Sequence, residues 1–263
     1  MLKVMVAGQA RRLFYLRDLL RELVSRDMKS RYKGSVLGVL WSLMNPLMQL
    51  MVYHFIFRLV LRLDIPRYSS FAFSAMLAWA WFQAAMLDAS GSVINSRDLV
   101  KRPGFPVAIL PVVAVTTHFL YYLSALPILL LFLLIGGTHL QLMILVLPVI
   151  LAVQFILTLS LGYLAAIANV MFRDAHYLLG LALQLLFFLT PVFYDAASVP
   201  QRYQRLYHLN PIVQLVNAYR GILIDGSDPD WWSMLVLALV ASLLLAIGLA
   251  IFQRVSYRFA EEV

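Results

Sequence analysis

Residue types that carry catalysis are sparse in this sequence, and their spacing does not match common active sites. No Gly-x-x-x-x-Gly-Lys-[Ser/Thr] phosphate loop occurs, so we do not expect the chain to hydrolyse ATP by that route. The five histidines show no His-x-x-x-His spacing, and the lack of cysteine excludes disulfides and thiolate metal sites. We therefore predict that the chain is not an enzyme and holds no metal ion or cofactor of its own.

Asp228 and Asp230 form a carboxylate pair with enzyme-like spacing. The pattern Asp-x-Asp is one with which glycosyltransferases hold a metal ion and a nucleotide sugar. Here it lies just before an apolar run, where Asp228 followed by Pro229 is typical of a helix N-cap and a first-turn proline. We favour the capping role, and a membrane-embedded glycosyltransferase or acyltransferase stays an alternative function.

The composition is that of an integral membrane protein. Hydrophobic residues make up 62% of the chain and charged residues only 13%, whereas soluble domains carry roughly 25% charged residues. The net charge of +8 is better explained by basic residues flanking membrane spans than by nucleic-acid binding. No removable signal peptide is evident, because the first forty residues lack a small-residue cleavage site after a short apolar core.

The apolar pattern predicts an all-α fold with six transmembrane helices. An amphipathic interface helix is expected over 12–29, so the chain divides into a cytoplasmic segment, 1–34, and a six-span domain, 35–263. Residues 195–230 are too polar to span and too apolar for a free loop, which predicts short re-entrant or interfacial helices between spans five and six. The predicted spans are about 35–57, 71–87, 107–135, 140–172, 177–194 and 231–252.

The distribution of basic residues sets the orientation. Of the 21 lysines and arginines, 15 lie in segments that this topology assigns to one side, including both termini, and six lie on the other. Because cytoplasmic segments carry the excess of Lys and Arg, both termini are predicted to be cytoplasmic. The chain is thus predicted to be a multi-pass membrane protein with both termini on the cytoplasmic side.

The first predicted span carries unusual polar residues. Asn45, Pro46 and Gln49 lie within an otherwise apolar run. Polar groups in hydrocarbon are costly and usually face a protein interior or a water-filled path, and Pro46 tends to kink a helix. Asn45 and Gln49 are therefore candidate channel-lining residues.

This stretch also resembles a known family. Residues 31–46 (RYKGSVLGVLWSLMNP) are similar to the first span of the permease subunits of bacterial ABC polysaccharide exporters, which include O-antigen and teichoic-acid exporters. A second match comprises 189–194 (LTPVFY), Leu209–Pro211 and Tyr219-Arg220. The resemblance extends from about Asp18 to the C-terminus.

The resemblance implies a transport function. Two copies of the chain would bind two copies of a separate ABC ATPase, which would bind ATP and Mg²⁺. The cargo would be a polysaccharide on a lipid diphosphate, moving through a channel between the two permeases. We favour the O-antigen of lipopolysaccharide as the cargo, with teichoic acid or a capsular polymer as alternatives and a small-molecule efflux permease as a more distant one. Membrane lipid is expected as a partner, and nucleic acid is not.

The resemblance also assigns roles to the two internal cytoplasmic links. They match the family's coupling elements, which sit in a cleft of the ATPase. The candidate coupling residues are Asn95, Arg97, Asp98, Lys101, Arg102, Arg173 and Asp174. The alternative is that these charged residues only reflect the general excess of Lys and Arg in cytoplasmic loops.

Basic and aromatic residues are further candidates for contact with the cargo. Arg31 and Lys33 match the place where a lipid diphosphate could form charge-assisted contacts, with generic headgroup anchoring as the alternative. In the resembling family the first and fifth spans line the channel, where aromatic rings could stack on sugars, although packing between helices is the alternative for each ring. The aromatic candidates are Tyr53, Phe55, Phe187, Phe188, Phe193 and Tyr194. Asn210-Pro211 and Tyr219-Arg220 are expected to shape an external gate.

Overall fold

The computed structural model describes residues 2–31, 33–35, 40–60, 66–138 and 141–259. Its regular secondary structure over these residues is entirely helical, which confirms the predicted all-α class. Ten α-helices lie in these residues: α1 Leu2–Arg31, α2 Leu40–Tyr53, α3 Tyr68–Gly91, α4 Arg97–Val100, α5 Ile109–Ile135, α6 Leu147–Met171, α7 Asp174–Leu189, α8 Gln201–His208, α9 Pro211–Arg220 and α10 Trp231–Val255. A π-helical segment extends α2 over His54–Val60, and another extends α9 over Gly221–Asp225.

Four helical segments in the described part of the chain are long and apolar enough to cross a membrane. They correspond to the second, third, fourth and sixth predicted spans and comprise Tyr68–Gly91, Ile109–Ile135, Leu142–Met171 and Trp231–Val255. The other two predicted spans fall on shorter apolar helices, Leu47–Phe57 and Asp174–Leu189. With 16 residues, α7 is about 24 Å long, which is less than a hydrocarbon core of about 30 Å.

Helix α3 lies at the centre of the bundle. In its most apolar stretch 72% of the residues are buried inside the protein, against 22% for α10. It contacts α2, α5, α6, α7 and α9. Small side chains permit these approaches, because they let helix backbones come close together in a membrane. The small buried side chains are Ala72, Ala75, Ala78, Ala85 and Ala89.

A buried polar network joins the centre of α3 to α6 and α9. Gln154 of α6 donates from Nε2 to the carbonyl oxygen of Ala78 at 2.9 Å. Its Oε1 accepts a hydrogen bond from the Tyr219 hydroxyl of α9 at 2.7 Å. Buried polar groups need such partners, so this network fixes the position of α9 against the two central helices.

Two helix boundaries differ from the sequence prediction. Helix α7 ends at Leu189 rather than continuing to Tyr194, because Pro191 disfavours the helical conformation at Thr190, which is extended. The N-cap of α10 is Asp230, whose side chain accepts hydrogen bonds from the Trp232 and Ser233 amides, so the prediction that Asp228 caps this helix is wrong. The hydrogen bonds from Ser233 hold the pKa of Asp230 below its usual range.

The region between the fifth and sixth predicted spans is helical in short pieces, as predicted. Helices α8 and α9 have eight and ten residues. Asn210 caps α9 by accepting a hydrogen bond from the Ile212 amide at 3.0 Å, and Pro211 occupies its first turn. This start is typical of a helix N-terminus, since proline there removes no hydrogen bond.

The close packing of α3 on α6 gives a first prediction. A Cβ atom added at Gly162 would lie 3.0 Å from the Ala89 Cβ, whereas one at Gly180 would meet only the Leu87 Cδ2, at 3.8 Å. We expect Gly162→Val to overpack this contact and destabilise the protein by about 1–3 kcal/mol. Gly180→Val is the matched control and should have a much smaller effect. Thermal unfolding in mild detergent compares the two, and equal melting temperatures would contradict the packing described.

Candidate functional site

The first predicted coupling segment follows α3 directly. It consists of a 3₁₀ turn, Ile94–Ser96, and the four-residue helix α4. Leu99 and Val100 are buried and attach the segment to the bundle. The five candidate coupling residues of this segment are all exposed, namely Asn95, Arg97, Asp98, Lys101 and Arg102. Their side chains are therefore accessible to a partner.

The second predicted coupling segment meets the first at the end of α3. His176 Nδ1 lies 2.7 Å from the Ser90 hydroxyl oxygen. Asn169 at the end of α6 donates to the Ser90 carbonyl oxygen at 2.9 Å. Arg173 and Asp174 between them are exposed. The structure thus brings both candidate coupling segments to one end of the same central helix.

Arg31 is engaged in ion pairs at this same end of the bundle. Its Nε donates to Asp27 Oδ2 at 3.0 Å, and its Nη2 donates to Asp88 Oδ2 on α3. Burial lowers the pKa of the Arg31 guanidinium, but the carboxylates of Asp88 and Asp27 outweigh burial and hold that pKa above its usual range. Lys33, the other predicted diphosphate ligand, is exposed. The charge of Arg31 is thus already paired with two carboxylates of this chain.

Sequence reasoning missed both Asp88 and its second partner, His118. Asp88 Oδ2 also accepts a hydrogen bond from His118 Nε2 of α5. A carboxylate near the end of an apolar helix and a histidine inside another were visible in the sequence as unusual polar positions. Their pairing was not visible, because 30 residues separate them along the chain.

A cavity of about 410 Å³ brings half of the predicted channel residues together. Gln49, Tyr53, Phe187 and Phe188 line it from α2 and α7. The Tyr53 and Phe187 ring centroids lie 6.1 Å apart. The structure therefore places the predicted first and fifth spans side by side around one opening.

The other predicted channel residues lie elsewhere. Phe193 is buried and stacks on Phe57, with ring centroids 5.0 Å apart. The Tyr194 hydroxyl accepts a hydrogen bond from Tyr207 of α8 at 2.6 Å. Phe55 lines a separate groove with Leu47, Leu50 and Met51. The side chain of Asn45 lies outside the described part of the structure.

Three residues that the sequence did not single out complete the 410 Å³ cavity, namely Trp79, Gln83 and Gln184. The Trp79 indole nitrogen donates to Gln83 Oε1 at 2.9 Å, one helical turn away, and the Trp79 and Phe187 rings are 5.6 Å apart. Amide side chains offer both donors and acceptors. In such a cavity the aromatic rings can stack on a sugar, and the neighbouring amides can form hydrogen bonds with its hydroxyl groups.

Arg220 connects α9 with the start of α3 and with the segment that follows α7. Its guanidinium is 3.3 Å from the centroid of the Phe71 ring and donates to the Phe71 carbonyl oxygen at 3.3 Å. Nη2 also donates to the Val192 carbonyl oxygen at 2.8 Å, just after the Thr190-Pro191 pair. Asn210 Nδ2 donates to Thr190 Oγ1 at 3.1 Å. The two motifs predicted to shape an external gate, represented by Asn210 and Arg220, therefore both contact residues 190–192.

The described residues contain no group of three or more His, Asp or Glu side chains close enough to hold a metal ion. Asp230 of the Asp-x-Asp pair caps α10 instead. The candidate site thus has three parts. They are the exposed charged residues of the two coupling segments, the 410 Å³ cavity lined by aromatic and amide side chains, and the buried Arg220 with its partners Phe71 and Val192, here called the arginine clamp.

Comparison with known proteins gives a consistent result. The family model of the ABC-2 type transporter matches residues 18–224. The O-antigen export system permease protein RfbA of Klebsiella pneumoniae is 33% identical over 248 residues, which is 94% of this chain and 95% of that protein. The protein of the same name from Myxococcus xanthus is 34% identical over 255 residues, 96% and 98% of the two chains. The polysialic acid transport protein KpsM of Escherichia coli is 22% identical over 235 residues, 88% and 91% of the two chains.

The arginine clamp gives a second prediction. Arg220→Met removes the donors to Val192 and Phe71, and we expect a loss of about 2–4 kcal/mol because charged hydrogen bonds in a buried site are replaced by unpaired carbonyl groups. Arg202→Met on exposed α8, where the guanidinium lies over the Tyr203 ring, is the control and should change stability little. Melting temperatures in detergent measure both, and a neutral Arg220→Met variant would show that the clamp contributes no stability.

Proposed function

This chain belongs to the ABC-2 type transporter family, and we propose that it is the membrane-spanning subunit of an exporter that moves a lipid-diphosphate-linked polysaccharide out of the cytoplasm. ATP, with Mg²⁺, would be bound and hydrolysed by a separate ABC ATPase. The cargo that we favour is the O-antigen of lipopolysaccharide, and the membrane is the bacterial cytoplasmic membrane.

The observation that carries this proposal is the near full-length similarity to O-antigen export permeases. Three such proteins are 32%, 33% and 34% identical to the chain and align over at least 94% of it. Two polysialic acid transport proteins are less similar, at 22% identity. This difference favours an O-antigen over a capsular polymer, while capsular polymer and teichoic acid are kept as the second candidate cargo.

Six spans are part of the proposal. Helix α2 with its π-helical continuation would be the first span, and α7 the fifth. Their apolar composition supports this, and their shortness is compatible with local thinning of the bilayer or burial against a second copy. In this topology both termini are cytoplasmic, α1 is the interface helix, and α8 and α9 are re-entrant from the outer side.

A homodimer would complete the channel. Gln49 and Gln184 line the 410 Å³ cavity and are exposed on apolar helices. Polar side chains that face hydrocarbon are costly, so this face of α2 and α7 favours a water-filled path closed by a second permease. The glycan would pass over Tyr53, Phe187 and Trp79.

The cytoplasmic face would receive two ATPase subunits. The exposed charges of residues 95–102 and 173–174 are the contact that we propose for them, because both segments converge on the end of α3. For the lipid diphosphate we propose Lys33 as the more available cation, with Arg31 restrained by its two carboxylate partners.

Co-purification followed by reconstitution tests the function. The tagged chain, expressed with the ATPase expected to partner it and extracted in mild detergent, should bring down a stoichiometric subunit that carries a phosphate loop. In proteoliposomes the complex should translocate a lipid-diphosphate-linked glycan only with ATP and Mg²⁺. Sugar transfer by the chain alone without ATP would instead establish a membrane enzyme. ATPase stimulation by small amphipathic compounds and by no glycan would establish an efflux permease.

The cavity gives a further prediction within this assay. Gln184→Leu keeps the approximate side-chain size but removes the amide, so we expect the rate of glycan export to fall about tenfold, in line with the loss of one to two hydrogen bonds. Gln253→Leu on exposed α10 is the matched control and should export normally. If both variants export at the wild-type rate, the cavity is not the glycan path.

A further inference from the structure

One carboxylate connects three helices at the cytoplasmic end of the bundle. Asp88 of α3 accepts hydrogen bonds from Arg31 of α1 and from His118 of α5, both at its Oδ2 atom. Arg31 is held in addition by Asp27 of its own helix. Arg31, Asp88 and His118 are here called the Asp88 junction.

The junction is partly removed from water. The Asp88 side chain is 33% exposed and that of His118 is 11% exposed. A charged group in such a place is stable only when its partners are kept. An apolar contact would hold the helices together equally well, so helix packing alone does not account for these three residue types.

The junction is the polar part of the attachment of α1. Helix α1 packs on α5 and buries Leu23 and Val24, an apolar contact that allows sliding along or around the helix. Arg31 at its last residue adds a directional link to α3. That link fixes where α1 ends relative to the two helices.

The position of the junction along the chain indicates its use. Asp88 is six residues before Ile94, where the first coupling segment begins. Asn95 and Ser96 of that segment line the same cavity of about 250 Å³ as Arg31 and Asp88. Arg31 precedes α2, the helix that carries Gln49 and Tyr53 into the channel cavity. Leu40, the first residue of α2, is nine residues after Arg31, so a displacement of the coupling segment that moves Arg31 would act on α2 along the chain.

We propose that Asp88 is a positioning residue that transmits ATP-driven movement of the coupling segment to the channel-lining helix α2, by holding Arg31 and His118 in one unit. The proposal rests on the export function given above. It assigns to Arg31 a mechanical role in place of cargo binding, because both of its carboxylate partners belong to this chain.

Asp88→Asn tests the proposal in the reconstituted complex. The amide keeps the shape of the side chain but cannot form the ion pair, so ATP hydrolysis should continue while the glycan exported per ATP falls about tenfold, within the range of coupling changes seen in other proteins. Arg31→Gln should have the same effect, and combining it with Asp88→Asn should add little. Arg31→Lys should restore part of the coupling. Asp18→Asn, an exposed carboxylate of α1, is the control.

A chemical tether gives a second and independent readout. The chain has no cysteine, so Arg31→Cys combined with Asp88→Cys can be joined by a short bismaleimide, before the ATPase is added, without labelling elsewhere in this chain. Joining should raise the glycan exported per ATP above that of the unjoined double variant, whereas either single-cysteine variant should not respond. Efficient joining also reports that α1 and α3 are folded as described.

The outcomes separate the two proposals. If the wild-type complex does not export glycan, the proposed function is wrong. If the wild-type complex exports and Asp88→Asn exports at the same yield per ATP, the inference about Asp88 is wrong. A tether that joins α1 to α3 without restoring export also overturns it, since the link would then have no mechanical role.

Discussion

A polar side chain carried into a bilayer is stable only when it is paired inside the protein or faces water. In this chain two groups of polar residues in the helices illustrate the constraint. Gln154, Arg220 and Asp88 are paired, and each links helices that are distant in sequence. Gln49 and Gln184 are exposed around a cavity instead. The paired residues define a rigid framework, and the exposed residues mark the surface that needs water or a second subunit.

Helix α3 is where these links meet. Ala78 near its middle accepts from Gln154, Phe71 near its start accepts from Arg220, and Ser90 near its end accepts from Asn169. The same helix contributes Trp79 and Gln83 to the lining of the 410 Å³ cavity. Helix α3 is therefore linked to α6 and α9 by hydrogen bonds along most of its length.

Local sequence pattern predicted the helices well and their partners poorly. Apolar runs of about 20 residues identify membrane helices because the bilayer sets their length, and the long α3, α5, α6 and α10 follow that rule. The end of α7 was missed since Pro191 acts on one residue within a run that is apolar on both sides. The N-cap of α10 was assigned to Asp228 because two aspartates flank Pro229, and only the geometry of Asp230 decides between them. Arg31 and Asp88 are 57 residues apart, and no local pattern relates them, so their pairing had to come from the fold.

The polar residues of α2 have a consequence for membrane insertion. Helix α2 carries Asn45, Pro46 and Gln49, and polar residues in an apolar helix make it less favourable to partition alone into the bilayer. Helix α3, which follows it, is apolar and rich in small residues that accept a neighbour closely. We expect the two to enter the membrane together as a hairpin, with α2 retained by contact with protein. The same polar residues that α2 brings to the 410 Å³ cavity therefore make its insertion dependent on contact with the next helix.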